Sequence, residues 1–135
     1  MSYHSTRTSF IDRLMLRLRK LPGSRHLPWP YIVAGHADAA DEIPEKLVAR
    51  TAVTVQSGDR HTWVAFDCPR HPNERIMLNL STSRRPCWRI NSEQPFTLYP
   101  SVDATHSGGR CHFWVRRGRL KWAAEPMGKS ERTTK

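Results

Sequence analysis

Ser101 and His112 are the two residues of this sequence whose types and separation best suit chemistry. The run Phe96-Thr97-Leu98-Tyr99 alternates in the way a pleated surface requires, and His112-Phe113-Trp114-Val115 repeats the pattern after the Gly108-Gly109 break. Folding the two runs antiparallel through a loop over 103–110 brings Ser101 roughly opposite His112. A serine hydroxyl is inert until its proton is removed, and an imidazole near its ordinary pKa removes it at neutral pH. Asp103 or Asp67 would orient that imidazole, and Gly108 or Gly109 could turn backbone N–H groups toward an oxyanion. The competing reading is an ordinary cross-strand hydrogen bond.

Cys68-x-x-His71 is a pair at chelating spacing on a prolyl turn between two strands, half of a tetrahedral zinc site. Cys111 and His106 are the candidates for the other half, with Cys87 or His112 as substitutes. Consecutive strand residues point to opposite faces, so Cys111 and His112 are poorly placed to share one metal, and His106 is less constrained. The competing reading makes Cys68, Cys87 and Cys111 small buried hydrophobes. Three cysteines are an odd number, which argues against a disulfide framework. His36, Asp38 and Asp41 also offer ligand atoms, yet their spacing matches no site and they read as a solvated loop.

The elements that must position these residues are mostly strands. Alternating or apolar runs at 52–55, 61–66, 75–80 and 87–90 precede the two already named, a turn over 91–95 leads into them, and Arg117-Gly118 returns the chain through Leu120 and Trp122. Trp63, Phe66, Ile76, Leu78, Trp88, Leu98, Phe113 and Trp122 are the expected core. Upstream, 9–21 places Phe10, Leu14, Leu18 and Leu21 at helical spacing after a capping Ser9, with Arg13, Arg17, Arg19 and Lys20 on the other side. This predicts an amphipathic helix that docks by its leucines and leaves its cations in water. The prolines over 22–30 exclude helix and predict an extended arm. The expected organisation is a helix and Pro-rich arm over 1–41, a mainly β (α+β) antiparallel domain over 42–124, stapled by zinc, and a disordered basic tail over 125–135.

The chain has 135 residues and a net charge of +10, so an acidic protein surface or a nucleic-acid backbone is a natural partner on charge alone. No apolar run is long enough to span a bilayer, and the N-terminus lacks the pattern of a signal peptide, which leads to the expectation of a cytoplasmic protein.

Taken in order, IPEKL, Cys68-Pro69-x-His71, RIMLNL, CWRI, TLYPSV, CHFWV and RLKWA resemble a family of small bacterial domains over 42–123. Its members are encoded beside bacterial relatives of ubiquitin-activating and conjugating enzymes in defence-linked gene clusters, and some look like serine-type peptidases that process or remove the ubiquitin-like protein. The resemblance implies Ser101 as nucleophile, His112 as base, and a ubiquitin-like protein or conjugation enzyme as partner. Where the family carries a run of alternating cysteines, this chain keeps Cys68, with His71 as the substitute ligand. The alternative is a non-catalytic, zinc-stabilised module that docks a conjugation-pathway protein or nucleic acid through its arginines.

Overall fold

The structure is a computed structural model that describes residues 4–5, 10–24 and 27–123, with side chains from residue 13 onward. Among the described residues nine strands form two sheets: β1 (His4–Ser5), β2 (Ile32–Ala37), β3 (Thr51–Ser57), β4 (Arg60–Asp67) and β5 (Arg75–Asn79) in sequence order, then β6 (Arg89–Glu93), β7 (Phe96–His106), β8 (Gly109–Arg116) and β9 (Arg119–Trp122), again in order. Every pair is antiparallel except β2 with β3, and 38–50 supplies the long crossover that a parallel pair demands. The domain is mainly β, as its alternating runs predict.

The sheets share one core. Val33, Ala52, Val64, Phe66, Ile76 and Leu78 from the first meet Phe96, Leu98, Val102, Cys111, Phe113 and Val115 from the second. Phe66 sits at its centre, edge-on to Phe96 and Phe113 with ring centroids 6.0 and 6.3 Å away. β3 is buried over five consecutive residues because its other side is covered as well, where Val53 packs on Ala37 and Leu47. Trp88 and Trp122, expected in the core, lie at its margin, and Trp63, next to the core residue Val64 on β4, takes the opposite face of the sheet; all three are half-buried.

Four sequence expectations are corrected. The arm over 1–41 is not an appendage: β2 belongs to the first sheet, Tyr31 is in the core, and His36 is a strand residue rather than part of a solvated loop. The loop expected over 103–110 is strand except for the two-residue turn Ser107-Gly108, so β7 and β8 form a long hairpin. The fourth expected strand begins at Arg89, with Cys87 and Trp88 leading into it, and continues to Glu93.

The last correction concerns α1 (Phe10–Arg19), which forms as expected but docks differently. Leu14, Leu18 and Leu21 are 45%, 38% and 55% exposed, whereas Arg19 is 3% exposed. Its guanidinium donates through Nη1 to the carbonyls of Ala49 (3.2 Å) and Arg50 (3.1 Å) and through Nη2 to that of Pro30 (2.7 Å). Burial, with Arg50 nearby, lowers its pKa to about 10. The capping Ser9 and the tail over 125–135 lie outside the described residues.

Candidate active site and metal centre

The long hairpin carries different chemistry on its two faces. Along β8, Cys111, Phe113 and Val115 point into the core, while Arg110, His112, Trp114 and Arg116 point outward. On β7 the ladder is regular from His106 back to Val102, then breaks, and pairing resumes only at Leu98 with Val115. Three residues of β7 thus face a single residue of β8, a bulge of the kind that re-aims a side chain. Ser101 lies in that bulge, and its Oγ stands 3.0 Å from His112 Nε2. The indole N–H of Trp88 donates to the Ser101 carbonyl (3.1 Å), tying the bulge to the segment before β6. Beside it opens a groove of about 430 Å³ whose walls include Arg85, Trp88, Arg89, Tyr99 and Pro100.

The residue directly opposite His112 is Asp103, so the serine reaches the imidazole on the diagonal. Asp103 shares the outer face with His112, but Arg110 takes both of its oxygens, Nε to Oδ1 at 2.8 Å and Nη2 to Oδ2 at 2.7 Å. The Arg110 hydrogen bonds hold the Asp103 carboxyl below its ordinary range, with a smaller contribution from the charge of His112. Asp67 is on the other sheet and pairs with Arg75 at 2.8 Å. Gly108 and Gly109 stand at the hairpin tip, several strand residues from Ser101, which removes them from an oxyanion role; a Cβ on Gly108 would come within 2.5 Å of the His71 ring.

The inner face at that tip gathers the expected ligands. Cys68, His71, His106 and Cys111 place their ligand atoms within 4.8 Å of one another, and Cys87 is outside the group. Cys68 Sγ is 3.3 Å from Cys111 Sγ and 3.7 Å from His71 Nδ1, and Cys111 Sγ is 3.4 Å from His71 Nδ1. Donor atoms around a tetrahedral zinc with Zn–S bonds of about 2.3 Å stand roughly 3.4–3.8 Å apart, so the set fits that ion closely. The decisive atom is on His106: both of its ring nitrogens are buried without a hydrogen-bond partner, a cost that a metal bond removes. Burial, reinforced by Cys68, pushes the Cys111 thiol up to about 11 in the metal-free state.

Two features of the site had no sequence signal: the anchoring indole of Trp88, and Gly108 as the gap that admits the His71 ring. Each is a contact between segments far apart in the chain.

The fold and site together define a small two-sheet β domain with a Ser–His pair on one outer face and a Cys₂His₂ cluster within. The chain belongs to the family described as bacterial ubiquitination-like system serine protease (BubE), which matches residues 39–123. No curated protein and no solved structure gives a significant match. Among the described residues no helix is long and apolar enough to cross a membrane.

Proposed function

We propose that this chain is a serine-type peptidase or isopeptidase that processes or removes a ubiquitin-like protein, with Ser101 as nucleophile and His112 as general base. The observation that carries the reading is the 3.0 Å contact between Ser101 Oγ and His112 Nε2 on an outer face beside a groove. Ser101 Oγ attacks the carbonyl at the C-terminus of the ubiquitin-like protein while Nε2 takes the hydroxyl proton. The imidazolium then protonates the departing amine, and water, deprotonated by the same nitrogen, releases the acyl group. Asp103 supports the imidazolium by its charge across the ladder, without a bond to the ring, because Arg110 holds both carboxylate oxygens. Its membership of a ubiquitination-like system supports a protein of that system as partner. Zinc held by Cys68, His71, His106 and Cys111 has a structural role in this reading: it ties the turn after β4 to the tip of the β7–β8 hairpin.

The test is a serine-directed fluorophosphonate followed by intact mass. Wild-type protein should gain one adduct, and Ser101→Ala and His112→Ala should gain none. Labelling that persists in Ser101→Ala, or a folded wild type that never labels, would overturn the assignment.

A further inference from the structure

A second cluster of ligand atoms is separate from the Cys68–Cys111 group and shares His61 with the wall of the groove beside Ser101. His36 on β2, His61 on β4 and Glu93 at the end of β6 bring three ligand atoms within 4.8 Å of one another. We propose that they form a second divalent-metal site, of nitrogen and oxygen donors only, which clamps the edge of one sheet to the other.

The geometry around the two imidazoles supports this. His61 Nε2 lies 3.0 Å from Gln56 Oε1, and a carbonyl oxygen can only accept, so the proton sits on Nε2 and the Nδ1 lone pair is left for a ligand. His36 Nδ1 is hydrogen-bonded to the hydroxyl of Thr54, a side chain that is 0% exposed. With Nδ1–H donating to that oxygen, Nε2 is the coordinating atom. Each ring thus has one nitrogen held by a fixed polar partner, the arrangement that orients metal-binding histidines. The rings stack with centroids 5.1 Å apart and planes at 26°, a packing suited to neutral imidazoles.

Glu93 is delivered by the contacts of the turn that follows it. The turn after β6 is pinned to β2 by Gln94 Nε2 donating to the Val33 carbonyl (3.2 Å) and to the residue before β2 by Phe96 N donating to the Tyr31 carbonyl (2.8 Å). A cation about 2.0–2.2 Å from each donor needs them roughly 3.4 Å apart, and the half-buried side chains close that gap by small rotations. Two imidazoles and one carboxylate select a borderline divalent ion such as Zn²⁺ or Co²⁺ over Ca²⁺, and three protein ligands leave a position for water. Among the described residues no thiol belongs to this group, which separates it from the Cys68–Cys111 cluster in spectroscopy as well as in space.

The experiment is a Co²⁺ titration of the full-length protein stripped with chelator, read by bound equivalents and by the thiolate-to-cobalt charge-transfer band. Wild type should take two equivalents, only one of them raising the thiolate band. Glu93→Gln and His61→Ala should each lose the silent equivalent, with affinity there falling by more than the roughly 100-fold that a change outside the ligand set can cost. Cys111→Ser should weaken the thiolate band, leaving Cys68 as its one thiolate, and keep the silent equivalent. Should His61→Ala fail to fold, Glu93→Gln and wild type decide. A single wild-type equivalent that raises the thiolate band, or a second that survives both Glu93→Gln and His61→Ala, would overturn the proposal.

Discussion

Cys111 and His112 are chain neighbours with opposite circumstances. Cys111 is 0% exposed and belongs to the core, while His112 looks outward and meets a serine at a groove's edge. The period-2 alternation of one strand lets the β7–β8 hairpin serve two ends: its inner face holds groups that need dryness and enclosure, and its outer face holds groups that need access. The inner cluster depends on the two sheets being packed, because Cys68 and His71 come from the first and His106 and Cys111 from the second. The outer pair depends on the register and bulge of its own hairpin, with the Trp88 indole anchoring the bulge. Damage to one face should therefore leave a distinct signature from damage to the other.

The largest expected effect is on the outer face. Ser101→Ala or His112→Ala should lower turnover of a ubiquitin-like fusion by about 10⁴-fold or more. Neither should change the free energy of unfolding in urea by more than about 0.5 kcal/mol, the range of surface substitutions. On the inner face the pattern reverses. Cys68→Ser or Cys111→Ser, or chelation of wild type, should cost about 4 kcal/mol of stability, the linkage value for a ligand present at a thousandfold its Kd. Activity should then fall only with the folded fraction. Gly108→Ala tests the same face more gently. The added methyl meets the His71 ring, and zinc affinity measured by competition should drop roughly 10- to 100-fold with fluorophosphonate labelling intact.

Asp103→Asn gives the smallest effects and asks whether the outer face contains a third participant. A carboxylate that acts by charge alone should cost about tenfold or less in turnover, against the far larger loss expected of a residue bonded to the ring. Its pairing with Arg110 also has a pH signature. The Asp103 pKa is depressed in the folded protein, so the stabilisation is complete above the unfolded value of about 3.9 and disappears as pH falls through the lower folded value. With both partners nearly half exposed, the effect on acid unfolding should be slight, and Asp103→Asn should remove it.

Much of the candidate site was legible because it is local. A hairpin with one glycine-rich turn can be registered from its alternation, and that placed Ser101 near His112. The sequence could not show that Asp103 is the true ladder partner and that a bulge closes the remaining distance. The chelating pair Cys68 and His71 was visible from spacing, and His106 and Cys111 from residue type. His36 was legible as a possible ligand only beside Asp38 and Asp41, whereas its neighbours in space are His61 and Glu93, from two other strands. β2 escaped notice because most of it is buried and it runs parallel to β3, the next strand in the chain, so it has no simple polar–apolar alternation and no hairpin turn. In α1 the periodicity identified a helix but not the face it buries, since three carbonyl oxygens converging on Arg19 come from segments far along the chain.

The Arg19 latch also separates the timescales on which parts of the molecule open. A planar guanidinium serves three carbonyls that a lysine ammonium, as a single point charge, would match poorly. The exposed leucines add little to this grip, so α1 should form its own unit of local opening. Its amides should exchange with deuterium well before those of β3 and β4, and Arg19→Lys should hasten them further while leaving the sheet amides unchanged.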